Sequence, residues 1–185
     1  MMKKHILTLA ALMPAVALAH PGHESTSLTS GLVSGALHPL LGLDHLLALL
    51  AVGLLSARLE GKQRFAIPAA FIAMMAVGFY AAHAGMHGIA AGTIEIAIAA
   101  SIVAAGAFVT IAFVLKRNHA ISAMAAWGMT GFAVFHGLAH GLEVPAGAAM
   151  NGFAFGFLVM STLLISLAYF AVNFVALKQM KKVKA

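Results

Sequence analysis

The chain has 185 residues, 62% of them hydrophobic and 9% charged, with a mean hydropathy of +0.99 and a formal net charge of +6. A soluble domain carries roughly a quarter charged residues, so this is an integral membrane protein, long enough for one helical bundle and too short for several domains. The lack of cysteine excludes disulfides, iron–sulfur clusters and thiolate metal sites. The basic excess is no sign of nucleic acid, because the Lys and Arg residues lie in short loops between apolar spans, where they set orientation.

The first element, residues 1–19, reads as a cleaved signal peptide. Lys3 and Lys4 form a basic start, Ile6 to Leu18 an apolar run, and Ala17-Leu18-Ala19 a cleavage pattern. The run is too short to span comfortably and contains Pro14; an uncleaved anchor is the alternative. Cleavage leaves residues 20–27 as an external N-terminus that opens on His20-Pro21-Gly22-His23-Glu24. Residues 28–177 then form the bundle, with apolar spans at about 28–56, 65–83, 93–115, 120–141 and 147–177, each able to cross as a helix of about 20 residues. The first and last exceed that length and must tilt, kink or extend beyond the lipid. Residues 178–185 are a basic cytoplasmic tail. The fold class is therefore an all-α polytopic transmembrane bundle of about five helices.

Lys and Arg decide its direction. Arg58, Lys62 and Arg64 follow the first span, Lys116 and Arg117 the third, and Lys178, Lys181, Lys182 and Lys184 the last, while the other two connections have none. Five spans put all of these on the cytoplasmic side, N-out and C-in. A sixth span, made by splitting the last, would put the C-terminal lysines outside.

This topology gathers eight of the ten histidines, His20, His23, His38, His45, His83, His87, His136 and His140, toward the outer side, with Glu24, Asp44, Glu95 and Glu143. Ionisable groups within a bilayer are costly and mark function. His38 and His45 are seven apart, so on a helix they share a face two turns apart, with Asp44 and His45 roughly 10 Å deeper than His38. Pro39 removes a backbone donor and Gly42 loosens the helix, so a kink or an unwound turn here could free carbonyl oxygens toward a cavity. His136, His140 and Glu143 follow at i, i+4 and i+7, a stripe of two imidazoles and a carboxylate that suits facial metal binding. Gly137 and Gly141 let a neighbouring helix approach. The alternative for both groups is polar packing between helices. His83-Ala84-Gly85-Met86-His87-Gly88 repeats the H-x-x-x-H-G pattern at the end of another outward span and could form an entry site or face water. His20 and His23 could capture metal or belong to a loose tail. Gly152-x-x-x-Gly156 reads as a packing motif, and the eleven methionines as packing rather than a soft-metal ladder. No nucleotide loop is present.

At these residues the chain resembles the HupE/UreJ family of nickel permeases. His38, Asp44 and His45 match its H-x5-D-H motif, and Phe135 to Glu143 match F-H-G-x-[A/V]-H-G-x-E throughout. The resemblance implies a multi-pass protein of the bacterial inner membrane that supplies nickel for hydrogenase or urease, with those six ligand-type residues needed for transport. Cobalt, zinc and iron(II) remain chemically open, since imidazole and carboxylate without thiolate suit all of them.

The expected function is thus uptake of a divalent ion, not catalysis. His38, Asp44, His45, His136, His140 and Glu143 form the transit site, and His20, His23, His83 and His87 collect the ion. Imidazole must be neutral to bind, so uptake should fall in acid. The partners are the lipid bilayer and the metal ion, with a homo-oligomer left open and no intrinsic ATPase. The rivals are an intramembrane zinc hydrolase built from the same residues and an outer-side metal sensor or scaffold. No ligand-rich cytoplasmic half is visible, so the exit is undefined.

Overall fold

The computed structural model describes residues 27–85, 88–113, 119–146 and 148–183. The expected signal peptide, His20, His23 and His87 lie outside the described residues. Secondary structure among the described residues is entirely helical: α1 Leu28–Leu41, α2 Leu43–Ser56, α3 Gln63–His83, α4 Ala91–Phe113, α5 His119–Leu142 and α6 Met150–Val183. Helices α3 to α6 are each long and apolar enough to cross a bilayer, and α1 with α2, bent by 78°, is long and apolar enough only as a pair, which makes a fifth crossing if the two form one broken span. This agrees with the five spans read from hydropathy. The last differs in length: α6 runs to Val183, so the described part of the expected tail is helical. Its 34 residues extend about 51 Å at 1.5 Å per residue, well beyond a hydrocarbon core of about 30 Å. Its surplus end carries the lysines, and Lys178 Nζ lies 4.4 Å from the Phe174 ring centroid.

The break in the first span has a local cause. Pro39, inside α1, has no backbone N–H and weakens the last turn. Gly42 then adopts an extended conformation (φ −81°, ψ 105°), ending α1 and starting α2. Its N–H still bonds to the His38 carbonyl at 3.0 Å, and its own carbonyl accepts from Leu46 N–H at 2.9 Å. Glycine is needed here for space and not for an unusual φ: a Cβ would lie 2.7 Å from His45 Cδ2 and 3.1 Å from Asp44 Oδ1. Asp44 occupies the first turn of α2, where its charge suits the helix N-terminus.

Close backbone contact assembles the rest. The most extensive interfaces are α3 with α5 and α1 with α6. In the first, Gly137 meets the Met75 backbone and Gly78 meets that of Val134 and Leu138; in the second, Gly35 meets Phe153 and Gly156 meets Leu32 and Ala36. Lipid gives helices no hydrophobic reason to associate, so small residues that permit van der Waals contact and close approach carry the assembly. The expectation for Gly137, Gly141 and the Gly152–Gly156 pair is met: α3 lies on the first two and α1 on the second pair. Fully buried Phe71, Phe79, Phe153 and Phe157 fill the centre. The outward positions, such as Ile96, Val103, Met124 and Leu167, remain exposed and apolar.

Because the atoms facing Gly137 are backbone, they cannot turn aside. Gly137→Val is expected to cost about 3 kcal/mol, the upper end for overpacking. Thermal unfolding in detergent should show the loss, whereas Gly88→Ala, at a site with open space around it, should leave the midpoint unchanged.

Candidate metal site

The bend in the first span sets the position of two imidazoles. On a straight helix, seven residues separate His38 and His45 by about 10.5 Å along the axis. Across the 78° bend their ring centroids are only 5.5 Å apart. The expected arrangement, one face with His45 two turns deeper, is therefore replaced by two rings in one layer. Helix α5 supplies the opposing wall. His140, in its last turn, sits 4.7 Å from His38 and 4.3 Å from His45 between centroids. Glu143 follows the helix end, its N–H bonded to the Ala139 carbonyl at 3.0 Å, and its Oε2 lies 2.9 Å from His38 Nε2.

His38, His45, His140 and Glu143 each present one ligand atom, and these four lie within 4.8 Å of one another. Ligands about 2.1 Å from a common ion stand roughly 3.4 Å apart in a tetrahedron and at most about 4.2 Å apart when opposite. Side-chain rotations of a few tenths of an ångström close the difference, so three nitrogens and one oxygen can hold one ion here. His140 is the clearest sign of a ligand-binding role. Its ring is fully buried, stacked 4.6 Å from Phe157 at 14°, and neither Nδ1 nor Nε2 has a protein partner. Buried polar atoms are nearly always hydrogen-bonded, and an exception asks for an explanation. His38 Nε2 has the Glu143 carboxylate, 2.9 Å away, beside it.

The other expected residues lie beside this group. His136, 2% exposed, places Nδ1 3.1 Å from His45 Nδ1 and Nε2 2.9 Å from Ser101 Oγ. It sits one turn from His140 on α5, against a ring of the four-residue group and outside that group. Asp44 Oδ2 stands 3.8 Å from His45 Nε2. Together with Glu95 and Glu143, Asp44 and His45 line a partly open cavity of about 180 Å³ walled by Ile94, Ile98, Ile102 and Ala139. The carboxylates face this open side; His45, His136 and His140 are closed in behind them. His83 is not brought into the group. It lies exposed at the end of α3, stacked 4.9 Å from Phe79 with Nδ1 3.4 Å from the Phe79 carbonyl.

Two residues were not singled out from the sequence. Glu95 carried only its position in the outer half. Ser101 sits in the apolar run of α4, and its sole signal is its place on that helix's buried stripe, Ile94, Ile98, Ser101, Ala105 and Ala112.

Apolar helices packed around a buried group of side chains that could hold a metal ion define a multi-pass membrane protein. The particular family is settled by comparison. A family model described as HupE / UreJ protein matches residues 7–185, and the chain is 38% identical over 158 residues to Protein HupE of Rhizobium leguminosarum bv. viciae, covering 85% of this chain and 76% of that one. This chain belongs to the HupE/UreJ family. No solved structure matches it.

His140 provides a test of ligand role against packing role. Two unpartnered buried nitrogens cost about 1–3 kcal/mol each, so His140→Leu should raise the unfolding midpoint of the metal-free protein. The same variant should lose the stabilisation that added Ni²⁺ gives the wild type. A fall in metal-free stability with nickel stabilisation retained would mean that His140 is a packing residue.

Proposed function

We propose that the protein is a permease for a divalent ion, nickel first, which enters from the periplasm and leaves to the cytoplasm across the bacterial inner membrane. One observation carries the reading: three imidazoles and a carboxylate from two separate spans converge to within 4.8 Å, and the most buried imidazole has both ring nitrogens unpartnered. Purely structural histidines would be satisfied by hydrogen bonds. The family to which the chain belongs fits a transport or accessory role rather than catalysis.

In this mechanism the mature N-terminus is outside, after removal of residues 1–19, and His20, His23, His83 and His87 collect the ion. Asp44, Glu95 and Glu143, at the open side, draw it in and offset its charge as water is shed. His38, His45, His140 and Glu143 then replace the water, with His136 backing His45. Nickel accepts this set of nitrogen and oxygen donors, and cobalt is the nearest alternative. Transit requires that the site hold the ion only moderately, since an ion held too tightly does not leave. An inside-negative potential supplies about 2.3 kcal/mol per charge per 100 mV, roughly double for a divalent ion, so ATP is not required. Lys and Arg on the opposite loops hold the bundle in this orientation.

The reading is tested by nickel accumulation in cells producing wild type, His38→Ala and His140→Ala at equal protein level. Both variants should accumulate at least tenfold less than wild type. Accumulation should also decline as the external pH falls, because protons compete with metal for the imidazole lone pairs. Equal accumulation in all three strains would rule out transport through this site.

A further inference from the structure

The contacts behind His45 carry more than burial. Ser101 Oγ lies 2.7 Å from the Ile98 carbonyl oxygen, one turn back on α4, and 2.9 Å from His136 Nε2. Two oxygens 2.7 Å apart need a proton between them, and a carbonyl has none to give. The single hydroxyl proton of Ser101 is therefore committed to Ile98, a common arrangement for serine within a helix. Its oxygen can only accept from the imidazole, so Nε2 of His136 carries the proton. The other nitrogen of a neutral His136 is then a bare lone pair.

That lone pair, Nδ1, faces His45 Nδ1 at 3.1 Å. Two bare nitrogens at this distance would repel, so the proton between them belongs to His45 Nδ1. Neutral His45 then has its lone pair on Nε2, the nitrogen that stands 3.8 Å from Asp44 Oδ2. A ring lone pair beside a carboxylate oxygen, at the edge of the cavity that Asp44 and His45 line, is an arrangement that suits a shared cation. Ser101, His136 and His45 are all buried, so water does not scramble the sequence of donors and acceptors.

We propose that Ser101 is a positioning residue: by accepting the Nε2–H of His136 it fixes that ring, which in turn accepts the Nδ1–H of His45 and presents His45 Nε2 as a lone pair to the divalent ion. The inference rests on the reading of His45 as a metal ligand. It gives His136 a role different from direct ligation, as the orienting partner of a ligand, and it brings α4 into the function of a site otherwise built from the first span and α5. Groups that hold the second nitrogen of a ligating imidazole set its tautomer and ring orientation, and their loss commonly lowers metal affinity by about 10–100-fold.

The test is read first without metal. Protein with ¹⁵N-labelled histidine, in detergent, gives long-range ¹H–¹⁵N spectra that report which ring nitrogen is protonated; the single variants His45→Gln and His136→Gln assign the signals. Wild type should show His136 protonated at Nε2 and His45 at Nδ1. Ser101→Ala should convert both rings to tautomer mixtures and weaken Ni²⁺ binding in an equilibrium titration by about 10–100-fold, and Ser101→Thr, which keeps the hydroxyl, should restore both readouts. The wild-type spectrum alone decides the matter if a variant folds poorly: His45 protonated at Nε2 overturns the proposal. Spectra that are unchanged in a folded Ser101→Ala protein also overturn it. The stated tautomers in a wild-type protein that binds no nickel would support the relay and overturn the transport reading instead; reversed tautomers in a protein that does transport would overturn the relay alone.

Discussion

The arrangement depends on one interruption of a membrane-crossing helix. Backbone polar groups in lipid must be satisfied internally, and irregular backbone is tolerated there only where protein or a polar cavity surrounds it. The turn at Gly42 meets this condition, because the side chains of Asp44 and His45 fold back over it and α5 and α6 enclose the layer around it. Without the bend, His38 and His45 would lie on successive levels and no single ion could touch both. With it, the two rings meet His140 and Glu143 in one place. The helices that flank the site are in turn held close by glycine contacts, so the same packing that stabilises the bundle sets the ligand spacing.

The site is polarised in a way that suits partial dehydration. Its carboxylates, on Asp44, Glu95 and Glu143, stand at the accessible side of the cavity, where charge can act at a distance on an approaching cation. Its imidazoles are enclosed by aromatic and aliphatic groups, His140 against Phe157 and His136 near Phe71. Neutral nitrogen donors are the less costly ligands to keep in an apolar interior, since burying unpaired charge is far more expensive than burying a neutral polar group. On the side away from the cavity the core is filled by tightly buried residues, Phe71, Met75 and Met129 among them. Under the transport reading, passage onward requires that packing to open.

Much of this was written in the sequence, and the exceptions have physical causes. Hydropathy and length gave the crossings because lipid imposes a minimum apolar run. The small residues gave two interfaces, since Gly137 and Gly152 have little reason to occupy apolar helices other than contact. Pro39 and Gly42 announced a disturbance. Its size was not readable, because a 78° turn depends on what packs around it, and a straight-helix reading of His38 and His45 put them on different levels. Spacing also treated His136 and His140 as equivalents on one stripe. Their difference arises from α4, whose Ser101 meets only His136, and a long-range contact of this kind leaves no local pattern. Glu95 was hidden for the same reason: its place beside Asp44 and Glu143 is made by the packing of α4 against α2 and α5.

In the proposed permease one divalent ion is held inside the bundle by imidazoles from both the bent first span and α5. X-ray absorption at the nickel edge, on purified protein loaded with one equivalent of Ni²⁺, measures this directly. Nitrogen and oxygen donors at about 2.1 Å are expected, with the outer-shell scattering of three imidazole rings. That scattering should fall to two rings in His38→Ala and likewise in His140→Ala. A nickel environment made only of water and carboxylate oxygens, or one unchanged by either substitution, would contradict it.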